Sequence, residues 1–175
     1  MTDPTGVTAD RQLPVERLPH ANYAGAIYGS LLAAATILGT AATEGDDPSS
    51  QRLVATLIVT SLVFWLLHVY VRIIGDELPT GRPLRQAVRR AAAYEYPILA
   101  AAALPSLAVA AGLLLDETGR WAAWLGFLVA LGAQVVATWI ALRLAGGRLP
   151  ATVVGMGLSI LLGLVLIWLK VLISH

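Results

Sequence analysis

The chain has 175 residues, 57% of them apolar and only 13% charged. A soluble domain is roughly a quarter charged, so this composition excludes a water-soluble fold, and the absence of cysteine excludes disulfides, thiolate nucleophiles and thiolate metal sites. The net charge of +1 gives no sign of nucleic-acid binding, and only the placement of the charges is informative.

Residues 1–22 (MTDPTGVTADRQLPVERLPHAN) are polar, lack a helical apolar period, and are expected to form a disordered tail in water. Five apolar runs follow, at 23–43, 53–71, 96–115, 121–142 and 149–169. Each is about 20 residues long, enough for a helix to cross ~30 Å of hydrocarbon. Lipid cannot satisfy free backbone groups, and no run alternates like a barrel strand, so all five are read as helices. With their flanks the spans are expected at 23–43, 53–74, 93–115, 121–143 and 149–172, with an interfacial helix over 81–92. The fold class is therefore all-α, a polytopic bundle of five transmembrane helices. Small residues after the first run (TAATEGDD) loosely suit signal cleavage, but the run is too long for a usual signal core. The polar stretch before it also carries acids, so it is expected to be retained.

Arginine and lysine placement gives an orientation. Arg11 and Arg17, then Arg72, Arg82, Arg85, Arg89 and Arg90, then Arg143 and Arg148 fall in alternate segments on one side. The other side holds only Arg52, Arg120 and Lys170. The expectation is a multi-pass plasma-membrane protein with its N-terminus cytoplasmic and its C-terminus outside. Trp121, Trp124 and Trp168 would mark the outer interface, and Tyr23, Tyr70 and Tyr96 the inner one.

The stretch PTGRPLRQAVRRAAAYEYP places Leu84, Val88 and Ala91 or Ala92 at helical spacing, with Arg82, Arg85 and Arg89 on another face and Arg90 beside them. It is expected to rest on anionic headgroups, either as a positive-inside anchor or as a docking surface for a lipid or a partner.

Small residues let helices approach in lipid. Gly25, Gly29 and Ala33 form such a stripe in the first span. Gly126, Ala130, Gln134 and Thr138 form one in the fourth, and Gly155, Ser159 and Gly163 one in the fifth. These stripes either close the bundle on itself or join copies of the chain in a homo-oligomer. Gln134 is expected to hydrogen-bond between helices. Pro97 suits a helix start, whereas Pro105 should kink the third span and free a carbonyl near residue 101.

Within LVFWLLHVYVRIIGDEL (62–78), the offsets between Ser61, Trp65, His68 and Arg72 return them to one helical face. Glu95 lies at the matching depth in the next span, so His68, Arg72 and Glu95 are expected to form an inner-leaflet polar cluster near Tyr70, Tyr94 and Tyr96. Ionisable groups at membrane depth usually face the bundle interior. A histidine beside a carboxylate can hold or pass a proton near neutral pH. The alternative is structural: Arg72 snorkels to pair with Glu95, and His68 bonds a backbone carbonyl to lock two helices. HExxH, GxSxG and GxxxxGK[ST] are all absent from the sequence. No enzyme, cofactor or metal site is expected.

AIYGSLLAAAT, FWLLHVYVRIIGDEL, YEYPILAAAALP and GLVLIWLKVLI resemble segments of small actinobacterial integral membrane proteins to which no activity is assigned. That resemblance implies a recurrent second-span histidine and an acid before a proline, here His68 and Glu95–Tyr96–Pro97. In topology the chain also resembles the vacuolar iron transporter family, which has five spans and a helical cytoplasmic insertion between the second and third. The ferrous-iron ligands of that family are missing: 23–43 has no acid, 53–71 has neither acid nor methionine, and the insertion is arginine-rich. Two functions stay open. One is a non-enzymatic membrane component that binds lipids or partners. The other is a small proton- or ion-coupled transporter using His68, Glu95 and the Pro105 kink.

Overall fold

A computed structural model describes residues 22–44, 49–115 and 119–173. The tail expected over 1–22 lies outside the described residues except for Asn22. The helices are α1 (Tyr23–Thr43), α2 (Ser50–Arg72), α3 (Leu84–Ala100), α4 (Ala103–Leu115), α5 (Gly119–Leu144) and α6 (Leu149–Ile173). No strand occurs among the described residues. Five stretches are long and apolar enough to cross a membrane, the third made of α3 and α4 together. The fold is an all-α polytopic bundle.

Local chemistry sets the helix ends. Asn22 caps α1, its Oδ1 accepting the Gly25 N–H at 2.7 Å. After α2 the chain adds a π-helical turn, Ile73–Glu77, and a 3-10 turn, Leu78–Thr80. Gly81 then reverses it with a left-handed φ of 71°, a conformation that glycine adopts at no steric cost. Gly146, at φ 72°, ends α5 in the same way, with the Gly147 N–H bonded back to the Leu142 carbonyl at 2.9 Å. The apolar stretch Ser50–Thr80 has 31 residues, about 46 Å of helical rise against ~30 Å of hydrocarbon. That is longer than a single crossing needs.

The core is apolar and tightly packed. Ala33, Ala34 and Ile37 of α1, Leu57 of α2, Val109 of α4, and Ala122, Phe127 and Ala130 of α5 are all but fully buried. α1 is central, packing against α2, α3, α5 and α6. Its approach to α3 is close: a Cβ on Gly29 would stand 2.7 Å from the Ile98 carbonyl oxygen. Gly112 brings α4 equally near α5, 2.5 Å from the Ala122 Cα on the same measure. The outward surface of α2 and α6 is apolar, with Ile58, Val63, Leu66, Val153, Leu158 and Leu161 all exposed, as a lipid-facing bundle requires.

Two expectations about the third span change. The interfacial helix expected over 81–92 is not a separate element, because α3 runs unbroken from Leu84 to Ala100. Its packed stripe is Ala87, Ala91, Glu95 and Ile98, while Leu84 and Val88 remain exposed. Pro97 does not start a helix either: it lies inside α3. The interruption comes instead at Ala101 and Ala102, one turn before Pro105, where the Ala102 N–H bonds Leu99 rather than its own i−4 carbonyl. Pro105 has no N–H to offer the Ala101 carbonyl, as anticipated.

Candidate functional site: a polar cleft at the arginine-rich end

The site is built where α1 begins, α2 leaves the apolar layer and α3 enters it. On α2, Ser61 is buried, the Trp65 Nε1–H donates to the Ala92 carbonyl at 3.3 Å, and Arg72 reaches Glu95. The face traced by Ser61, Trp65, His68 and Arg72 is thus the inward one. The Arg72 Nη1 donates to Glu95 Oε1 at 3.1 Å and stands 3.8 Å from Asp76 Oδ2. The Arg72 guanidinium also sits over the Tyr94 ring, 3.5 Å from its centroid. Glu95 is buried, so its charge needs these partners.

Asn22 completes the arrangement. Its Nδ2 donates to Glu95 Oε2 at 3.0 Å and to the Tyr94 carbonyl at 3.2 Å, while its Oδ1 caps α1. Pro97 deprives the Ala93 carbonyl of its i+4 donor. The flanking carbonyls of Ala92 and Tyr94 take side-chain donors from α2 and from Asn22. Sequence reasoning placed Asn22 in the tail, although an asparagine directly before an apolar helix is an N-cap signal. It also passed over Tyr28, whose ring lies 5.3 Å from that of His68.

His68 does not bond Glu95. Its Nδ1 donates to the Phe64 carbonyl one turn back on α2, at 2.9 Å, so the histidine does not link helices by a hydrogen bond. Its contact with another helix is the Tyr28 ring of α1. His68, Arg72 and Glu95 nevertheless share one cleft of about 320 Å³, lined also by Asn22, Gly25, Tyr28, Tyr94 and Ile98. Tyr70 and Tyr96, expected nearby, are exposed on the outer surface and do not line it.

The remaining arginines divide. Arg82 pairs with Glu77 at 3.0 Å, which withdraws it from the expected basic face. Arg85, Arg89 and Arg90 are exposed and form no ion pair with the described residues.

A second polar group lies within the bundle. The Thr138 Oγ1 donates to the Gln134 carbonyl at 2.8 Å and lies 3.0 Å from the Ser159 hydroxyl, joining α5 to α6. The Gln134 Nε2 reaches the Ser159 carbonyl only at 3.5 Å, and its buried Oε1 has no partner among the described residues. The expected interhelical bond from Gln134 is therefore present but long. The small residues around it pack as anticipated: a Cβ on Gly126 would meet Val109 and Ile37, one on Gly155 would meet Leu142, and one on Gly163 would meet Leu131. Gly25 is the exception in its role, since its Cβ position faces the Asn22 side chain rather than another helix.

Apolar helices around an apolar core, with ionisable side chains gathered at their ends, make this a multi-pass membrane protein. Compared with known protein families, curated proteins and solved structures, the chain matches none. No group of three or more His, Cys, Asp or Glu side chains able to hold a metal ion occurs among the described residues.

Proposed function

We propose that the chain is a non-enzymatic component of the plasma membrane that presses its arginine-rich end against anionic headgroups, with the N-terminus cytoplasmic and the C-terminus outside. The observation that carries this reading is the exposed trio Arg85, Arg89 and Arg90 on the first turns of α3, which form no ion pair with the described residues. Each basic residue near an anionic surface contributes about 1 kcal/mol. Together they favour an anionic over a neutral surface by about 3 kcal/mol. Because α3 carries both these arginines and the third span as far as Ala100, this contact would fix the depth at which that part of the span begins.

The test is amide exchange in nanodiscs. Residues 84–92 should exchange more slowly in phosphatidylglycerol than in phosphatidylcholine, and the combined Arg85→Gln, Arg89→Gln and Arg90→Gln variant should lose the difference. Equal exchange in both lipids would remove the proposal.

One observation favours the alternative, a proton- or ion-coupled transporter: the cleft reaches His68 from the arginine-rich end. Against it, the core beyond the cleft is closed by Ala33, Ile37, Phe127 and Ala130. A pH-dependent flux in proteoliposomes that vanishes with His68→Ala or Glu95→Gln, in variants that still fold, would favour transport over the component reading.

A further inference from the structure

The cleft between α1, α2 and α3 contains hydrogen-bonding groups that no atom of the described residues uses. Arg72 carries five guanidinium N–H groups. Only Nη1 is engaged, by Glu95 and more distantly by Asp76, so Nε and Nη2 bond to no atom among the described residues. The side chain is only 26% exposed and is held against the Tyr94 ring, which limits its freedom to seek water. His68 spends Nδ1 on Phe64, and its Nε2 bonds to no atom among the described residues. Glu95, by contrast, already accepts at both oxygens, from Arg72 and from Asn22, and Asp76 is largely exposed. The unspent capacity is therefore that of a forked cation and an imidazole, with Tyr28 and Tyr94 as walls and Ile98 deeper in.

We propose that this cleft binds a phosphate group, either the phosphodiester of a membrane lipid or a soluble phosphate compound. A guanidinium fork matches two phosphate oxygens. Arg72 ends the apolar run of α2, which in a bilayer would set it near the headgroup level. At about 320 Å³ the cleft is at the lower end of pockets that hold small molecules. The site is separate from Arg85, Arg89 and Arg90, so it can fail or stand independently of the surface contact proposed above.

The test uses the full chain in a non-ionic, phosphate-free detergent. Binding is titrated with dioctanoyl phosphatidylglycerol, with glycerol 3-phosphate, and with dioctanoylglycerol as the phosphate-free control. At least one phosphate probe should saturate, and the control should not. Saturation by the lipid alone assigns a headgroup, and saturation by both assigns the phosphate itself. Arg72→Lys keeps a cation for Glu95 but loses the fork, so affinity should fall on the order of tenfold while the unliganded melting temperature holds. His68→Gln, whose hydrogen bond is internal to α2, is the second variant and should also weaken binding. The combined Arg85→Gln, Arg89→Gln and Arg90→Gln variant should bind the cleft probe as the wild type does. No saturation by either phosphate probe overturns the proposal, as does wild-type affinity in both Arg72→Lys and His68→Gln.

Discussion

At Glu95 a carboxylate is buried beside a guanidinium and an amide, and the cost of removing it depends on what is left behind. Glu95→Ala strands a half-buried Arg72 and leaves Asn22 Nδ2 without its side-chain acceptor. Breaking one side of a buried pair costs about 3–5 kcal/mol, and the lower end is expected here because Arg72 can extend toward headgroups. Replacing both partners with apolar residues, Arg72→Met with Glu95→Leu, should cost far less. Thermal unfolding in detergent separates the two cases, and equal losses would mean that the uncompensated charge is not the cause. His68 makes a different prediction. Because its ring meets Tyr28, its removal should loosen α2 against α1 rather than against α3. A double-mutant cycle of His68→Ala with Tyr28→Ala should give a coupling of about 0.5–1.5 kcal/mol. Coupling indistinguishable from zero would mean that the two rings do not support each other.

At the scale of the element, α1 offers an internal comparison. Gly29 and Gly39 are both helical glycines, yet a Cβ at Gly29 runs into the α3 backbone while one at Gly39 has nothing within 4 Å. Gly29→Ala should therefore destabilise by about 1–3 kcal/mol. Gly39→Ala should be neutral or stabilise by up to about 1 kcal/mol through helix propensity. Unfolding of the two variants side by side checks this, and the same sign for both would contradict the close α1–α3 approach. The small-residue spacing of 25, 29 and 33 was legible in the sequence, but which member meets a neighbour was not. Gly25 turned out to face its own cap. The third span shows a similar limit. Pro105 signalled a break because a missing N–H acts locally whatever surrounds it. Pro97 misled because it removes a single backbone bond, the one to the Ala93 carbonyl, and α3 is packed on both sides of it through Ala91, Glu95 and Ile98.

At the scale of the molecule, the number of spans was readable because hydrocarbon thickness dictates run length, a constraint independent of packing. The Arg72–Glu95 meeting was readable for a related reason: consecutive spans joined by a short connection are neighbours, and depth can be counted along each. Asn22, Tyr28 and the Glu77–Arg82 pair were not foreseen, since they depend on how α1 leans on α3 and on the turns beyond Arg72. What the bundle leaves open is which side each end faces, and the absence of native cysteine makes that directly measurable. Gln51, at the start of α2, and Gln86, in the first turn of α3, are both exposed and lie at opposite ends of the α2–α3 hairpin. The orientation proposed from the arginine distribution would put Gln86 on the cytoplasmic side and Gln51 outside. A membrane-impermeant maleimide should therefore label Gln51→Cys in intact cells and Gln86→Cys only after lysis. Reversed labelling would invert the proposed orientation while leaving the bundle intact. Labelling of both from one face would contradict the crossing of α2 itself, and with it the reading of the cleft as a site at headgroup depth.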